Sequence, residues 1–379
     1  MKILFTCRPM IGHFQPLLGL AQAARRRGHA VAFATGEPIA AKARALGFDA
    51  FAAGLSFADS QARLAQTGVN MRDLPPAQIR AFAFGRWFSE IEAPARLADL
   101  EGICRIFQPD LIVHEVAELA APLAATLMGI LWVTVGFGLL LQPEIADIAG
   151  DAMAPLWRGK GIAVPPQAGL YKHLYVDPYP PLLQIPQIQD LRSVVRLRPD
   201  AGPRGTHSAP ERKMVYVTFG TDWKTGPAAV ERFRAALAGS ADAADKVVAT
   251  VGSDTDPALL DPLPSNAEAY RFVPQDELLP RCACVVAHGG SGTLLGALAW
   301  GKPLLLAPQF ADQFYNAGRA LEAGVALVLQ PGEVTRQAVF ERVRRLLAET
   351  SFSDRAAQAQ QQLAAMPDVD AVFDRIETL

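Results

Sequence analysis

The chain has few cysteines and almost no excess of charge of either sign. Only Cys7, Cys104, Cys282 and Cys284 occur in 379 residues, which is too sparse for the disulfide framework of a small secreted domain. One residue separates Cys282 from Cys284, and the chain has no second closely spaced pair of cysteines, so a zinc site is not expected there. The formal net charge is −2, which gives no reason to expect nucleic acid or an anionic membrane as a partner.

Neither a signal peptide nor a membrane span is expected from the apolar runs. The first apolar run, Lys2–Thr6, is too short for a signal peptide. The uncharged stretch 119–141 has the length of a span, yet no Lys or Arg lies between positions 106 and 157 to set an orientation. Proline and glycine divide this stretch into a helix and a buried strand. We therefore expect a soluble, cytoplasmic protein.

What the sequence does contain is a regular alternation of short apolar runs and helix-like segments. Half of the residues are hydrophobic and 20% are charged, a balance typical of well-buried globular domains. The alternation begins at Lys2–Thr6 and starts afresh with "MVYVTFG" at 214–220. Because strands that alternate with helices favour parallel sheets, we predict an α/β protein with two Rossmann-like, doubly wound domains.

The two halves are separated by a segment rich in proline, glycine and charge. It occupies 199–212 and has no apolar periodicity, which is typical of a linker. We therefore predict a first domain over 1–205 and a second over 212–360. The polar helical segment 361–379 either caps the second domain or packs back on the first, and we favour the latter.

Two stretches, 55–95 and 143–185, interrupt the alternation and are rich in aromatic residues and proline. For any single aromatic residue in them, the simpler interpretation is a surface helix that packs on the first domain. The alternative is that some line an apolar ligand pocket between the domains. The candidates for such a pocket are Phe57, Phe82, Trp87 and Phe137.

A glycine-rich turn in "CVVAHGGSGTLLGALAWG" carries the clearest chemical signal. A strand ends at the glycines, and a helix is predicted to begin near Thr293. The unpaired N–H groups and partial positive charge of a helix N-terminus favour a phosphate, and glycine lets the backbone approach it closely. His288, Ser291 and Thr293 add donor groups. A strand–turn–helix elbow without a ligand remains the alternative.

Other interpretations of these glycines and acids fit less well. There is no Walker lysine and no G-x-G-x-x-G near the start of the chain, so neither a P-loop nor a dinucleotide fingerprint is present. The G-x-S-x-G elbow of a serine hydrolase is broken by Thr293, and no histidine follows His288. Asp254 and Asp256 form a D-x-D, but they lead into Pro257 and fit a solvated turn better than a metal site.

A histidine at the turn after the first strand is the candidate general base. His13 lies in "PMIGHFQP", and in a doubly wound domain this turn faces the ligand crevice. Imidazoles ordinarily titrate near pH 6.5, which suits a base; the alternative is a residue that caps the next helix. Glu115, at the end of "DLIVHE", would orient the ring, with Glu118 as second choice. By strand alternation His114 points the other way and is structural.

These segments resemble the family 1 glycosyltransferases with the GT-B fold, in particular the actinomycete enzymes that glycosylate natural products. The resemblance is carried by "GHFQPLLGLAQAARRRGHAVAFATG", "PDLIVHEVAELAAPLAA", "VYVTFGT" and "YRFVPQDELLPRCACVVAHGGSGTLLGALAWGKPLLLAPQFADQFYNA". It covers nearly the whole chain, and the combination is specific although each piece alone is weak. It implies two Rossmann-like domains facing across a cleft, the first binding the acceptor and the second the nucleotide-sugar donor.

The resemblance also implies a role for each matching residue. The nucleobase would rest on the segment Phe272, Val273, Pro274 and Gln275. The diphosphate would be bound by His288, Gly290, Ser291, Gly292 and Thr293, with Thr221 closing from the other side. Asp312 and Gln313 would hold sugar hydroxyls, and Asn316 lies just beyond. His13 would deprotonate the acceptor, with Glu115 in the place where many relatives carry an aspartate.

Two positions depart from the plant-type form of this signature. Gly292 replaces an asparagine, so any contact there must come from the backbone. Gly296 replaces a glutamate that binds the ribose hydroxyls. Loss of that glutamate removes a reason to prefer a ribonucleotide, so a deoxythymidine diphosphate (dTDP) sugar is favoured over a uridine diphosphate (UDP) sugar.

The implied reaction is a single displacement with inversion and without a metal or other cofactor. The donor is a dTDP- or UDP-sugar and the acceptor a small natural-product aglycone, with no nucleic acid or membrane partner; a homodimer is left open. Two alternatives are a GT-B sugar-nucleotide epimerase or hydrolase, and a non-catalytic auxiliary binding protein. The intact donor signature together with His13 and Glu115 argues against the last.

Overall fold

The computed structural model divides into two α/β units. The described residues are 1–71, 73–200, 213–220, 226–310 and 312–379. The first unit comprises Met1–Pro178, Ile185–Arg198 and Pro367–Leu379, and the second comprises Tyr179–Gln184 and Pro199–Met366. Each unit is built on one sheet whose strands all run parallel within the described residues. The predicted α/β class with two parallel-sheet domains is confirmed.

The first unit contains a seven-stranded sheet. Its strands are β1 (Lys2–Thr6), β2 (Ala30–Thr35), β3 (Asp49–Ala52), β4 (Leu111–Glu115), β5 (Leu131–Val135), β6 (Leu174–Asp177) and β7 (Val194–Arg196). Their order is β3-β2-β1-β4-β5-β6-β7, with Thr6 of β1 beside His114 of β4. The order of the strands therefore reverses between β1 and β4, the place where ligands bind in such sheets.

Helices cover both faces of this sheet. They are α1 (Ile11–Arg26), α2 (Glu37–Ala45), α3 (Phe57–Ala65), α4 (Pro76–Phe82), α5 (Ala93–Phe107), α6 (Ala121–Met128) and α7 (Pro143–Gly159). A π-helix, Ala83–Glu92, joins α4 to α5, and two 3₁₀ turns occur at Pro166–Gly169 and Pro186–Asp190. Such π segments are often found at functional sites.

The uncharged stretch 119–141 forms part of the buried layer. It supplies α6 and β5, and Gly129 ends α6 with a φ of +69°, a left-handed conformation that suits glycine. The strand β5 is almost completely buried because a parallel sheet is covered on its two faces, and α6 is buried up to Ala125, with Leu127 and Met128 exposed at its end. Among the described residues no helix is long and apolar enough to cross a membrane.

The second unit contains a six-stranded sheet. Its strands are β8 (Met214–Thr218), β9 (Lys246–Thr250), β10 (Ala267–Tyr270), β11 (Cys284–Ala287), β12 (Leu304–Leu306) and β13 (Ala326–Val328), in the order β10-β9-β8-β11-β12-β13. Its helices are α8 (Pro227–Ala243), α9 (Gln275–Leu278), α10 (Ser291–Ala299), α11 (Gln313–Glu322), α12 (Arg336–Ala348) and α13 (Thr350–Ala364). Short 3₁₀ turns occur at Pro257–Leu260 and Pro331–Glu333. The order reverses between β8 and β11, where Thr218 pairs with Ala287.

The last helix, α14 (Val369–Glu377), belongs to the first unit. Its Phe373 is fully buried in the core beside α1, and Arg27 makes an ion pair with Glu377 at 2.9 Å. The segment 361–379 is thus divided, because α13 ends in the second unit and the chain changes unit at Pro367.

The structure also assigns Tyr179–Gln184 differently from the predicted domain limit of residue 205. This segment groups with the second unit, where Arg319 of α11 donates to the carbonyl oxygens of Leu183 at 3.0 Å and Gln184 at 3.2 Å. The sequence did not show this because the two carbonyl oxygens accept from Arg319, which lies 136 residues after Leu183 and 135 residues after Gln184. Most of the predicted linker, 201–212, lies outside the described residues.

Candidate functional site

In the first unit, the first turn of α1 places His13 next to the end of β4. Nδ1 of His13 lies 3.0 Å from Oε1 of Glu115, and the imidazole is 12% exposed. The strand β1 ends at Thr6 and α1 begins at Ile11, so the short connection between them sets this position. The two residues selected from the sequence as base and orienting carboxylate are therefore neighbours.

The Glu115 carboxylate is buried and accepts two backbone hydrogen bonds. Oε1 accepts from the N–H of Arg8 at 3.2 Å, and Oε2 accepts from the N–H of Ala117 at 2.6 Å. Burial by itself would raise the pKa of Glu115, but His13 and these donors outweigh it, and the pKa is lowered. Glu115 is thus ionised at neutral pH and can hold an N–H of the imidazole.

Glu118, the second choice from the sequence, lies against a different partner. Its Oε1 is 3.8 Å from Nε of Arg96, and its carboxylate accepts from the N–H groups of Ala120 and Ala121 at 3.0 and 3.2 Å. Burial raises the pKa of Glu118 to about 7, although Arg96 opposes that rise. The carboxylate beside His13 is therefore that of Glu115.

His114 is turned away from His13, as strand alternation predicts. Its Nδ1 lies 2.8 Å from the carbonyl oxygen of Glu118, and its Nε2 lies 2.9 Å from the hydroxyl of Thr134. Burial lowers the pKa of His114 to about 4, so the ring is neutral at physiological pH. It satisfies polar groups within the sheet layer and has no chemical role in this arrangement.

Arg8 is a member of the site that the sequence reasoning missed. Its Nε and Nη2 donate to the two oxygens of Glu92 at 2.6 and 2.9 Å, and its Nη1 lies 3.4 Å from Nε2 of His13. The guanidinium lies over the rings of Phe88 at 3.7 Å and Trp87 at 4.7 Å. A charged residue directly after a buried strand, in "FTCRP", was the available signal. We call Arg8, His13, Glu92 and Glu115 the base cluster.

The four aromatic candidates for the acceptor pocket occupy different environments. Phe137 packs on the imidazole of His13, with ring centroids 4.7 Å apart. Trp87 is buried and donates from Nε1 to the hydroxyl of Ser60 at 2.6 Å. Phe82 is partly buried against the core, and Phe57 is exposed at the start of α3. Of these four residues, Phe137 is the one whose ring packs on the imidazole of His13.

In the second unit, the glycine-rich turn leads into α10 two residues earlier than predicted. The helix begins at Ser291, with Gly290 as its N-cap. A Cβ at Gly290 would lie 2.5 Å from Nε2 of His288, and one at Gly220 would lie 2.8 Å from Cε1 of the same ring. Glycine is therefore required at both positions, and the imidazole lies between them.

His288 offers an unused hydrogen-bonding atom in this turn. Its Nδ1 is buried and has no hydrogen-bond partner among the residues that the structure describes. Burial lowers the pKa of His288 to about 4, despite the nearby carboxylate of Asp312. The neutral ring can donate to, or accept from, a bound group, and a buried polar atom left unpaired is destabilising.

Ser291 is hydrogen-bonded to three side chains of the second unit. Its hydroxyl lies 3.0 Å from the Tyr179 hydroxyl, 3.2 Å from Oδ2 of Asp312 and 3.1 Å from Nδ2 of Asn316. Asn316 also donates to the carbonyl oxygen of Gly289 at 2.9 Å. We call His288, Ser291, Asp312 and Asn316 the turn cluster, and these contacts fix its side chains before any ligand is bound.

Gln313, expected beside Asp312 as a sugar-binding residue, interacts with its own loop. Its Oε1 accepts from the N–H groups of Gln309 at 2.9 Å and Phe310 at 3.1 Å. Its side chain therefore holds the entry to α11 in this conformation. Thr221, expected to close over the phosphates, lies outside the described residues.

The predicted nucleobase segment is partly to fully exposed and mostly apolar. Phe272 is 67% exposed, Val273 is partly exposed, and Gln275 begins α9. Nε2 of Gln275 lies 3.4 Å from the hydroxyl of Thr293, while a Cβ at Gly296 would lie 3.0 Å from Oε1 of Gln275. Gln275 therefore occupies the space next to Gly296, where a longer side chain would have to displace it.

Two further positions from the sequence analysis are Gly292, in the glycine-rich turn, and Asp256, in the D-x-D. Gly292 is exposed, with nothing within 4 Å of the place where a Cβ would lie. Asp256 accepts from the N–H of Ala258 at 3.1 Å and begins the turn Pro257–Leu260. The second acid of the D-x-D thus has a structural role as a cap.

The two units supply different chemistry. In the base cluster, an ionised carboxylate holds one nitrogen of an imidazole whose other nitrogen can take a proton. In the turn cluster, the N-terminus of α10 presents N–H groups without intrahelical partners, beside a hydroxyl and an unused imidazole nitrogen, as an anion site requires.

Comparison with known proteins identifies the enzyme class. Residues 234–379 match the family described as Erythromycin biosynthesis protein CIII-like, C-terminal domain. The L-demethylnoviosyl transferase of Streptomyces niveus is 30% identical over 338 residues, which cover 87% of this chain and 85% of that protein. The chain belongs to the natural-product glycosyltransferases of the GT-B fold. This glycosyltransferase acts on a nucleotide-sugar donor, as predicted from the resemblance.

Two further relatives extend the comparison over the full length of the glycosyltransferase. The aclacinomycin-T 2-deoxy-L-fucose transferase of Streptomyces galilaeus is 27% identical, with 100% of this chain and 96% of that protein covered. The glycosyltransferase VinC, solved in complex with dTDP, superposes with a TM-score of 0.80 at 26% identity and covers 100% of this chain and 99% of its own. The predicted fold family and the predicted enzyme class are both confirmed.

Proposed function

We propose that this glycosyltransferase is inverting and metal-independent, with His13 as the general base. It would transfer a sugar, preferably a deoxysugar, from a dTDP donor to a nucleophilic group on a small natural-product aglycone. The observation that carries the proposal is the 3.0 Å approach of His13 Nδ1 to the buried Glu115 carboxylate. This approach leaves Nε2 as the nitrogen that takes the acceptor proton.

Inversion follows from a single displacement. His13 removes the acceptor proton while the acceptor attacks the anomeric carbon, and the nucleoside diphosphate leaves from the opposite face of the sugar. A one-step reaction is supported because the carboxylate beside His13 is buried, lies 3.0 Å from the imidazole and accepts from two backbone N–H groups. Glu115 therefore serves as an orienting group and not as a nucleophile that forms a covalent intermediate.

Charge on the leaving diphosphate would be stabilised by the turn cluster. The first-turn N–H groups of α10 and the hydroxyl of Ser291 are suited to phosphate oxygens. Nδ1 of His288 adds one buried, unused group in the same turn. Preorganised donors of this kind stabilise developing negative charge, which supports transfer without a metal.

The preference for dTDP over UDP is proposed from the surroundings of Gly296. No carboxylate stands at this position to bind ribose hydroxyls, and Gln275 fills the adjacent space. VinC, a structural relative, binds dTDP. A cytoplasmic location is part of the same proposal; the four cysteines are all buried and unpaired, as is usual in a reducing compartment.

The direct test is His13→Ala, assayed with dTDP- and UDP-sugars against a panel of aglycones. We expect transfer to fall by roughly 10²–10⁴-fold, the usual contribution of a general base, with the affinity for dTDP unchanged in calorimetry. Product NMR should show the anomeric configuration opposite to that of the donor, and a chelator should not change the rate. Unchanged turnover of His13→Ala would refute the base assignment.

Three other results would redirect the proposal. Donor consumption without an acceptor would identify an epimerase or hydrolase. Nucleotide binding with no turnover on any aglycone, but stimulation of a partner transferase, would identify an auxiliary binding protein. A clear affinity for UDP over dTDP would overturn the inference from Gly296, and Gly296→Glu should move the preference toward UDP if that inference holds.

A further inference from the structure

Arg8 has one end of its guanidinium fixed and the other directed at the proposed base. The Glu92 carboxylate accepts from Nε and Nη2, which leaves Nη1 as the end that approaches Nε2 of His13 at 3.4 Å. The side chain is only 2% exposed and lies on the ring of Phe88. An arginine so confined delivers its Nη1 N–H in one direction.

The hydrogen-bonding chemistry of the three side chains determines the state of the imidazole. Arginine can only donate, and an ionised carboxylate can only accept. The negative charge of Glu115, 3.0 Å from Nδ1, therefore favours an N–H at Nδ1, and Arg8 on the other side favours an unprotonated Nε2. Both requirements are met by one neutral tautomer, the form that can accept a proton at Nε2.

Glu115 alone would not select that neutral form. A buried carboxylate next to an imidazole also stabilises the imidazolium, which has lost its capacity as a base. Arg8 acts in the opposite direction, because a hydrogen bond to the unprotonated Nε2 and a nearby positive charge both disfavour protonation there. Resting on the function proposed above, we infer that Arg8 is a positioning residue that keeps Nε2 of His13 unprotonated until the acceptor hydroxyl replaces the Arg8 N–H at its lone pair.

The other charged groups around His13 do not change the protonation of Nε2 that Glu115 and Arg8 together favour. Glu92, on the π-helix, offsets the charge of Arg8, so Arg8 acts on Nε2 mainly through its directed N–H. Glu118, after β4, and Arg96, on α5, lie 3.8 Å from each other. The Cys7 thiol stays neutral, since burial raises its pKa to about 12.

The test follows protonation of Nε2 directly and needs no substrate. The full chain is labelled with ¹⁵N-histidine, and each ring is titrated by two-bond ¹H–¹⁵N NMR; the His13 signals are those absent from His13→Gln. In the wild type we expect a proton on Nδ1 and none on Nε2 near neutral pH. In Arg8→Met we expect Nε2 to take its proton about one pH unit higher, and the acid limb of the kcat/KM profile to move by the same amount.

Two further variants separate this role from a structural one. Arg8→Met leaves the Glu92 carboxylate buried and unpaired, so the double variant R8M/E92Q is made to retain the fold and the hydrogen bond from Ser60. Its Nε2 titration should still move upward, by a smaller amount, because only the hydrogen bond has been lost. Arg96→Met removes a second buried arginine that does not contact His13. This variant should not change the pH at which Nε2 of His13 takes its proton.

The outcomes are distinct. An upward shift in both Arg8 variants, with none in Arg96→Met, supports the inference. A proton on Nε2 of the wild type at neutral pH, or no upward shift in either Arg8 variant, overturns it. A wild type without transfer activity would overturn the proposed function, while the NMR titration would still decide the role of Arg8.

Discussion

The base cluster and the turn cluster differ in how far apart in sequence their members lie. Arg8 reaches Glu92 across 84 residues, and its backbone reaches Glu115 across 107 residues. The hydrogen bonds inside the turn cluster span at most 25 residues. The base cluster is thus assembled from residues far apart in the sequence, whereas the turn cluster combines the glycine-rich turn with Asp312 and Asn316 at the start of α11, at most 25 residues after Ser291.

This difference predicts different consequences of mutation. Loss of a member of the base cluster should leave the donor site intact and lower the rate of the chemical step. Loss of a glycine in the turn should leave the base intact and weaken the binding of the donor. A variant that breaks this division would show that the two clusters do not act independently.

The largest effect within this comparison is expected from Glu115→Gln. The amide can present its NH₂ group to Nδ1 of His13, which favours the tautomer whose proton sits on Nε2, where it blocks the base. We expect kcat to fall by roughly 10²-fold, with the affinity for dTDP unchanged. Steady-state kinetics and calorimetry measure the two quantities.

Glu118→Gln is the matched control for that experiment. Glu118 is equally buried and lies three residues further along, but its partner is Arg96. Its kcat should stay within a few-fold of the wild type. A loss as large as that of Glu115→Gln would show that the two carboxylates act together.

The next effect is expected from Gly290→Ala. The new Cβ would lie 2.5 Å from Nε2 of His288, so the ring or the turn must shift. We expect the affinity for dTDP to fall by about tenfold or more, the equivalent of losing one or two hydrogen bonds, while the NMR titration of His13 stays unchanged. Gly292→Ala is the control, because nothing lies within 4 Å of its Cβ; equal losses in both would contradict this account of the turn.

The smallest effects are expected on the free energy of unfolding. Glu118 in the first unit and His288 in the second should make this free energy depend on pH in opposite directions. Glu118 has its pKa raised from 4.5 to about 7, so the folded state keeps a proton that the unfolded chain has lost. Wild-type stability should therefore fall as the pH rises through this range, and Glu118→Gln should remove that fall.

His288 gives the opposite sign. Its pKa is lowered from 6.5 to about 4, so the unfolded chain takes up a proton that the folded state does not. Stability should fall as the pH drops through this range, and His288→Gln should remove that loss. Thermal midpoints measured from acid to neutral pH test both variants, and curves parallel to the wild type would contradict the assigned burial.

The contrast between the clusters also explains how much could be predicted from the sequence. The sequence alternation was sufficient to predict two parallel sheets, because their central strands are short, buried apolar runs, whereas the partly exposed strands β3, β7 and β10 lack that pattern. The turn cluster was recognisable because glycine, serine and histidine stand together at a strand–helix junction. Its helix begins at Ser291 instead of Thr293, since Gly290 already serves as the cap.

Contacts between residues far apart in the chain could not be predicted from the sequence in the same way. Nothing in the sequence connects Arg8 to Glu92, because their pairing depends on a π-helix whose wider turn has no signature in composition. The choice between Glu115 and Glu118 likewise required coordinates. The sequence left two interpretations open for Trp87, packing on the first domain or lining a pocket, and its hydrogen bond to Ser60 likewise became visible only in the coordinates.

The position of α14 has a consequence for synthesis of the chain. This helix is made after every strand of both sheets, yet Val372, Phe373 and Ile376 pack into the core of the unit that contains β1. During translation, that unit must therefore wait for the rest of the polypeptide with part of its apolar surface uncovered. Ribosome-bound chains that stop before Pro367 should depend on chaperones, even though every strand of the first sheet has already emerged.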